Sequence, residues 1–123
     1  QLSIYGNDYP TSDGTAVRDF IHIVDLANGH LATLKKLKNI NGINSWNLGT
    51  GKGYSVLQIV KAFEEVSGHK LPYKIEKRRR GDVASSYADP KKAFIDLKWK
   101  AKYDLHKMIE DAWRWHKMNP NGY

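Results

Sequence analysis

Arginines are the residues of this chain best suited to binding an anionic ligand. The segment 78–82 opens with three consecutive arginines, and Arg18 stands alone in the largely apolar string 17–20. A guanidinium in apolar surroundings needs a charged partner, because burying it unpaired is very costly. Its planar fork also suits phosphate, which it binds through two parallel hydrogen bonds. Arg18 therefore has two candidate partners, the neighbouring Asp19 and a ligand phosphate, whereas the triplet alone is equally consistent with a solvated surface run.

A glycine-rich turn is the second candidate for phosphate binding. Gly49, Gly51 and Gly53 follow a strand candidate and precede a helix, which is where a phosphate-binding loop should lie. However, Lys52 is followed by glycine instead of Ser or Thr, and the third glycine of the dinucleotide fingerprint is replaced. The pattern favours a structural turn over a phosphate site.

Other catalytic or metal-binding patterns are absent from the sequence. There is no cysteine and no nucleophile elbow. The histidines are scattered, and no pair of them shares a helix face with a carboxylate at metal-ligand spacing, so structural or solvent roles are favoured. These residues are His22, His30, His69, His106 and His116. Trp113 and Trp115 offer a stacking platform, but on an amphipathic helix we interpret them as core and rim aromatics.

The composition predicts one globular domain with anionic partners. The chain has 123 residues, of which 41% are hydrophobic and 27% charged, with a net charge of +7. That charge suits nucleic acid or a phosphate-bearing small molecule, and composition does not choose between them. No apolar run is long enough to span a membrane and residues 1–5 do not resemble a signal peptide, so we expect a soluble, cytoplasmic protein.

Alternating short strands and about four helices predict a mixed α/β fold. The β-rich runs are 2–5, 17–24, 45–48 and 71–77, and the first helix is expected at 25–37, with Leu26, His30, Leu34 and Leu37 along one side. The clearest helix begins at Ser55, where Gln58 completes a capping box, and stops at Gly68. A short helix should follow Asp89 as cap and Pro90 as first residue, and Asp104 should cap the last helix, whose residues 105, 108, 109, 112 and 113 face inward.

Several separated motifs, in the right order, resemble UDP-glucose 4-epimerases of the extended short-chain dehydrogenase/reductase family. The motifs are Ile4-Tyr5-Gly6-Asn7-Asp8-Tyr9-Pro10-Thr11, Val17-Arg18-Asp19-Phe20-Ile21-His22, Trp46-Asn47-Leu48-Gly49-Thr50-Gly51, Arg78-Arg79-Arg80-Gly81-Asp82, Tyr87-Ala88-Asp89-Pro90 and Asn119-Pro120-Asn121-Gly122-Tyr123. The resemblance covers essentially the whole chain, which corresponds to about the last third of a family member. It implies that residues 1–123 form a C-terminal UDP-sugar-binding domain without the Rossmann portion that binds NAD.

The resemblance also implies an activity for the parent enzyme. In the family, tightly held NAD takes hydride from the sugar's 4-position, and the 4-keto sugar rotates before hydride returns to its other face. The enzyme must therefore grip UDP while it holds the hexose loosely. The resemblance further implies a homodimeric parent enzyme with no nucleic-acid or membrane partner, and we expect this chain alone to be inactive.

Site residues carry over position by position. The resemblance places Ser3, Ile4 and Tyr5 beside the uracil, with backbone groups at its edge and the Tyr5 ring against its face. Arg18 and Arg79 match the arginines that hold the diphosphate, and Asp82 matches the aspartate that accepts from the ribose. These matches favour phosphate over Asp19 as the partner of Arg18.

Two positions depart from the family pattern, and a third matches a position that differs between groups of family members. Phe20 stands where a Tyr is common, which removes a hydroxyl near the sugar diphosphate, and Arg80 replaces a Pro or Glu and is not counted as a ligand. Ser86 matches a position that is Tyr in members confined to unsubstituted hexoses and Cys or Ser in members that admit N-acetylated ones. The resemblance therefore implies room for UDP-N-acetylhexosamines.

Three alternatives stay open at this point. The first is that the chain belongs to another nucleotide-sugar enzyme, such as a dehydratase or decarboxylase. The second is a non-catalytic scaffold with the family fold, and the third is a basic nucleic-acid-binding module. The Gly6-Asn7-Asp8-Tyr9-Pro10-Thr11 and Val17-Arg18-Asp19-Phe20-Ile21-His22 strings favour the epimerase.

Overall fold

Short strands alternate with four α-helices along the chain, as the sequence predicts. The computed structural model describes residues 1–122. The strands are β1 Leu2–Tyr5, β2 Val17–Asp19, β3 Gly53–Ser55, β4 Tyr73–Glu76 and β5 Ser85–Ser86. The α-helices are α1 Ile23–Lys36, α2 Val56–Ser67, α3 Lys91–Leu97 and α4 Leu105–Met118, and a 3-10 turn, Leu37–Asn39, follows α1. Tyr123, the last residue of the closing Asn-Pro-Asn-Gly-Tyr motif, lies outside the described residues.

The strands form two small sheets. β1 and β4 pair in parallel, with Leu2 opposite Tyr73. In the second sheet β2 lies in the middle, antiparallel to β3 and parallel to β5. The second sheet therefore brings three segments that are distant in sequence side by side.

The hydrophobic core lies between α2 and α4. Its buried members are Ala62, Leu105 and Ile109. Aromatic and aliphatic side chains surround them, namely Tyr54, Ile59, Phe63, Val66 and Met108. Of the residues expected to face inward from α4, Ala112 is exposed, whereas Trp113 is half-buried and packs edge-on against Phe63, with ring centroids 5.4 Å apart.

Helix α2 has the boundaries that its sequence predicts. The Ser55 hydroxyl accepts from the Gln58 backbone N–H at 3.1 Å, and the Gln58 side chain accepts from the Ser55 N–H at 2.8 Å. Gly68 ends the helix in the left-handed region, with φ at 73°. Asp104 caps the N-terminus of α4, where its carboxylate accepts from the Lys107 N–H at 2.9 Å.

The predicted strand at 17–24 was too long and the predicted start of α1 too late. β2 ends at Asp19, and α1 begins at Ile23 instead of residue 25. The reason is His22, whose ring Nδ1 accepts from the Val24 N–H at 3.1 Å and so caps the helix. The other ring nitrogen lies 3.2 Å from the Asp111 carboxylate, which confirms the structural role expected for this histidine.

Three further predictions were wrong or displaced. Residues 45–48 form no strand, because a strand needs a neighbour to pair with and the described residues supply none there. The short helix α3 begins at Lys91, one residue later than predicted, although the Asp89 carboxylate still accepts from the Lys91 N–H at 3.0 Å. The strand predicted at 71–77 is shorter, spanning Tyr73–Glu76.

The apolar side chains of α1 and of the turn after it are mostly exposed, among them two members of the stripe predicted along one side of the helix. Leu34 is 58% exposed and Leu37 is 52% exposed. The buried residues of this helix are Asp25 and Gly29. The Asp25 carboxylate accepts from two backbone N–H groups, those of Lys102 and Tyr103, which explains how it can be buried. No helix within residues 1–122 has the length and apolarity needed to cross a membrane.

Candidate functional site

Arg18 and Ser86 lie side by side on adjacent strands. β2 and β5 pair so that Arg18 is opposite Ser86. The Arg18 Nη1 atom donates to two backbone carbonyls, to Val17 O at 2.8 Å and to Val83 O at 2.9 Å. Within residues 1–122 the guanidinium makes no salt bridge, so one of its nitrogens anchors it and the others remain for an anion. Asp19 is not its partner, which was one of the two predicted alternatives.

Tyr5, Arg79 and Asp82 form a second group of contacts. The Arg79 Nε atom donates to the Asp82 carboxylate at 3.0 Å. The Arg79 guanidinium carbon lies 4.6 Å from the centroid of the Tyr5 ring, in a cation–π contact. The Tyr5 ring is 39% exposed, so part of its surface remains open to a ligand. Asp82 precedes Val83, whose carbonyl holds Arg18, and this connects the two groups.

The outer edge of β1 has unpaired backbone groups. The Leu2 N–H donates to Pro72 O and the Gly6 N–H to Glu76 O, so the even-numbered residues of the strand face β4. Because parallel strands alternate which edge each residue faces, the amides and carbonyls of Ser3 and Tyr5 point to the other edge. Within residues 1–122 no strand pairs with that edge. Ile4 differs from its neighbours, since its side chain is buried and its backbone faces β4.

The structure does not bring Phe20 into these contacts. Phe20 lies one residue beyond β2 and is half-buried, and no ring contact within residues 1–122 joins it to the other predicted residues.

Arg78 has different contacts from Arg79, although the two are adjacent in the sequence. Its Nε atom donates to the Asp8 carboxylate at 2.6 Å, and its guanidinium carbon lies 4.0 Å from the centre of the Tyr9 ring. Arg78 thus fixes the loop that follows β1.

Asp19 organises the site in a way that the sequence analysis missed. Its carboxylate accepts from the Thr50 N–H at 3.0 Å, the Thr50 hydroxyl at 2.6 Å and the Gly51 N–H at 3.0 Å. It also accepts from the Ala88 N–H at 3.3 Å. A Cβ atom on Gly49 would lie 2.5 Å from this carboxylate, so only glycine fits there. Asp19 therefore ties β2 to the glycine turn and to the segment that follows Ser86.

The glycine turn is consequently not a free phosphate cradle. The backbone N–H groups of Thr50 and Gly51, which an anion would use, already donate to Asp19. A pyrophosphate would have to displace a carboxylate that holds four hydrogen bonds. This confirms the structural interpretation of the turn, and it means that the residues of this chain do not fit the dinucleotide at that position. The sequence contains one signal for this role of Asp19: an acidic residue directly after Arg18 needs hydrogen-bond donors of its own.

The arrangement can hold a ligand that combines a flat ring with phosphate. The open side of Tyr5 offers an aromatic surface and the edge of β1 offers backbone donors and acceptors. Arg18 and Arg79 contribute two positive charges, and Asp82 contributes a carboxylate acceptor. Charge-assisted hydrogen bonds of this kind contribute about 1.5–3 kcal/mol each. No general acid or base stands out in this group.

Comparison with known proteins identifies the family. The family model described as GDP-mannose 4,6 dehydratase matches residues 1–112, which is most of the chain. The chain belongs to the GDP-mannose 4,6 dehydratase family. The family's fold agrees with the mixed α/β architecture of short strands and four helices found here.

Several individual proteins are similar to the chain over nearly its whole length. UDP-glucose 4-epimerase of Bacillus subtilis is 58% identical over 123 residues, which is 100% of this chain and 36% of that protein. The crystal structure of UDP-glucose 4-epimerase from Bifidobacterium longum in complex with NAD+ and UDP has a TM-score of 0.90 and 49% identity, covering 98% of this chain and 36% of that one. The UDP-Glc/GlcNAc 4-epimerase from Campylobacter jejuni has a TM-score of 0.81 and 40% identity, covering 95% and 36%.

This family member is thus similar to one part of each relative. The chain spans about a third of the length of the curated relatives it matches. Its mixed α/β fold is that of extended short-chain dehydrogenase/reductase enzymes such as these epimerases.

Proposed function

We propose that this chain is the C-terminal UDP-sugar-binding part, residues 1–123, of a UDP-glucose 4-epimerase. The observation that carries the proposal is the connected arrangement of Tyr5, Arg79, Asp82 and Arg18, on a chain whose full length is 58% identical to an epimerase. On this proposal the parent protein inverts the sugar 4-hydroxyl through a 4-keto intermediate. The chain alone is inactive.

Each residue of the site has a defined task in holding UDP. The uracil lies against the open side of Tyr5, and the outward backbone groups of Ser3 and Tyr5 read its edge. Arg18 and Arg79 bind the diphosphate, and Asp82 accepts from the ribose hydroxyls. The role expected for Ile4 narrows to supporting the strand, because its side chain is buried and its backbone faces β4.

Firm binding of UDP suits a reaction in which the sugar ring must rotate. On this proposal the charged groups named above bind UDP, and Ser86, which is paired with Arg18 across β2 and β5, faces the sugar. Firm binding of the nucleotide keeps the hexose in place without fixing its orientation, so proximity is retained while the ring rotates. Phe20 is proposed to lie near the sugar diphosphate as an apolar wall.

NAD is assigned to the portion of the longer protein outside this chain. In the glycine turn of this chain the N–H groups of Thr50 and Gly51 already donate to Asp19, so they are not free to hold a dinucleotide. The relative from Bifidobacterium longum was solved with NAD+ and UDP, and this chain covers 36% of it. The parent protein is proposed to be a cytoplasmic homodimer.

The epimerase is favoured over the alternatives by two observations. Although the family model carries the description of a dehydratase, the identities of 57–58% over 99–100% of this chain are to UDP-glucose 4-epimerases, for example those of Bacillus subtilis and Homo sapiens. The basic segment is less suited to nucleic acid than its sequence suggests, because Arg78 and Arg79, although exposed, are each already paired with a carboxylate and in contact with an aromatic ring. Free cations along a track are what nucleic-acid binding requires.

A chimera tests the proposal. Residues 1–123 would replace the matching third of the Bacillus subtilis epimerase, and interconversion of UDP-glucose and UDP-galactose would be measured with NAD bound. We expect activity within about tenfold of the unaltered enzyme, since the replaced part is 58% identical. The Arg18→Ala chimera is the matched control and should lose most of the activity.

Two outcomes would overturn the proposal. One is a folded, NAD-loaded chimera that binds UDP but does not epimerise either sugar. The other is full activity in the Arg18→Ala chimera, because it would show that the arginine has no part in binding the substrate.

A further inference from the structure

A basic and apolar surface on α3 and the segment after it is not used by the proposed site. A pocket of about 470 Å³ lies there, lined by Pro90, Lys91, Phe94, Ile95, Trp99 and Lys100. Two adjacent apolar residues of α3 are both exposed, Phe94 to 56% and Ile95 to 63%. We call this pocket and the lysines around it the α3 surface. Large apolar side chains exposed together in this way mark interaction sites.

Positive charge is concentrated on the α3 surface. Residues 91–102 contain five lysines and one acidic residue, Asp96. Asp96 is occupied, since it accepts from the Trp46 indole N–H at 2.9 Å. Within residues 1–122 the side chains of Lys98 and Lys100 form no hydrogen bond or ion pair. More than half of the chain's net charge of +7 therefore comes from this short segment.

The backbone of Lys98 supplies an independent observation. Lys98 ends α3 in the left-handed region, with φ at 54°, and it is the one residue other than glycine with positive φ among residues 1–122. A side chain in this conformation costs about 1–2 kcal/mol relative to glycine. Backbone strain of this kind is commonly retained where the side chain has a function. Here the strained residue is one more cation, Lys98, at the C-terminal end of the helix whose Phe94 and Ile95 line the pocket.

We propose that the α3 surface binds an acidic protein segment that inserts one apolar side chain into the pocket. The unpaired lysines match acidic residues of such a segment, and the pocket matches its apolar anchor. The pocket is concave, whereas a membrane-binding surface inserts protruding side chains into lipid. A phosphate backbone has no group that would use an apolar pocket. A second copy of the chain would place lysines opposite lysines in a two-fold interface.

The direct test is binding of a short fluorescent peptide of Glu and Asp with one central Phe, followed by anisotropy at low salt. We expect saturable binding that weakens as salt is added. Phe94→Ser should weaken binding about tenfold, because it removes the wall of the pocket. Leu34→Ser is the matched control, since Leu34 has a similar exposure of 58% but lies on α1, and it should bind as the unaltered chain does.

The charge component is tested with two exposed lysines. Lys100→Gln should weaken peptide binding about threefold. Lys117→Gln removes the same charge from α4, away from the pocket, and should leave the affinity unchanged. Equal effects of these two substitutions would mean that net charge alone attracts the peptide, and would overturn the proposal.

Lys98→Gly separates binding from folding. Glycine relieves the strained φ, so the melting temperature should rise by about 2–6 °C, while peptide affinity falls about threefold with the lost charge. Stability and binding are therefore expected to change in opposite directions, which damage to the fold would not produce. The proposal is overturned if the Lys98→Gly chain binds the peptide unchanged. It is also overturned if anionic vesicles or an oligonucleotide bind as tightly as the peptide and Phe94→Ser affects neither.

Discussion

Arg18 is held by the protein on one side and open on the other. A single nitrogen, Nη1, donates to the carbonyls of Val17 and Val83. These two bonds fix the plane of the guanidinium without neutralising its charge, which prepares it for an oxyanion. Arg79 is prepared differently, by stacking on Tyr5 and pairing with Asp82. Both arginines are therefore positioned by contacts that leave donors for a ligand.

Replacing Arg79 by lysine tests whether its shape matters. Lysine keeps the charge but loses the planar fork and the flat contact with Tyr5. We expect Arg79→Lys to weaken UDP binding about tenfold, measured by titration calorimetry, with circular dichroism unchanged. Lys77→Arg, an exposed neighbour outside the site, is the control. An affinity for UDP equal to that of the unaltered chain would remove Arg79 from the site.

Ser86 sets the volume available to the sugar in the proposed site. It is exposed and lies next to Arg18, so a larger side chain would extend into solvent-accessible space beside the diphosphate. In the Bacillus subtilis chimera, Ser86→Tyr should reduce turnover of UDP-N-acetylglucosamine at least tenfold and leave that of UDP-glucose within about threefold. The relative named as a UDP-Glc/GlcNAc 4-epimerase motivates the comparison. Undiminished N-acetylated activity would show that Ser86 does not select the sugar.

Among the elements, those specified by local rules were the easiest to predict. Helix α2 was predicted with its cap at Ser55 and its stop at Gly68, because both ends depend on residues within one turn. β2 was predicted too long, since its apolar residues continue past Asp19 while the cap from His22 starts a helix. That cap uses a histidine, which is not among the usual capping residues.

The residues of the site were predicted by type, but their connections were not. Arg18 and Ser86 are far apart in sequence, and only the parallel pairing of β2 with β5 makes them neighbours. The four hydrogen bonds of Asp19 join three distant segments in the same way. Long-range pairing of this kind leaves no periodic trace in the sequence, which is why the role of Asp19 was missed.

The loop before β2 is fastened to α2 by Asp13. Its carboxylate accepts from the Thr15 N–H at 2.9 Å, the Thr15 hydroxyl at 2.7 Å and the Ser55 hydroxyl. Burial alone would raise the pKa of Asp13, but the hydrogen bonds from Ser55 and Thr15 outweigh it and lower the pKa below 3.8. Gly14 permits the tight turn beside it, since a Cβ atom there would lie 2.1 Å from Asn7 O.

This lowered pKa predicts how stability depends on pH. A depressed pKa in the folded state means that the unfolded chain binds more protons, so the contribution of Asp13 is complete above its unfolded pKa and is lost as pH falls through the folded one. Asp13→Asn should cost about 1 kcal/mol at neutral pH. The difference in melting temperature between the two chains should narrow as pH falls below about 4. A constant difference across that range would show that the Asp13 charge has no part in the linkage.

The whole molecule combines a small core with much exposed apolar surface. Its buried cluster comprises three residues between α2 and α4, while Ile23, Leu31 and Leu34 on α1 are each more than half exposed. The segment 45–48 is apolar in part but pairs with nothing among the described residues. The predicted strand at 45–48 was wrong for this reason, since a strand needs a neighbour to pair with.

The charge of the molecule is divided between two surfaces. One lies at Arg18 and Arg79 beside the open edge of β1, and the other is the α3 surface around Lys98 and Lys100. The net charge of +7 is a single value for the whole sequence and does not distinguish these two surfaces. The two surfaces are independent, so UDP binding should survive substitutions at Phe94 that abolish peptide binding.

The most direct test of the central claim is calorimetric titration of this chain with UDP, alongside its Arg18→Ala variant. Both chains would first be shown to be folded by circular dichroism. We predict saturable binding of UDP to the unaltered chain, weaker binding of uridine because it lacks the diphosphate, and at least tenfold weaker UDP binding by Arg18→Ala. Equal affinities of the two folded chains for UDP, or equal affinities of the unaltered chain for UDP and uridine, would contradict a diphosphate grip centred on Arg18.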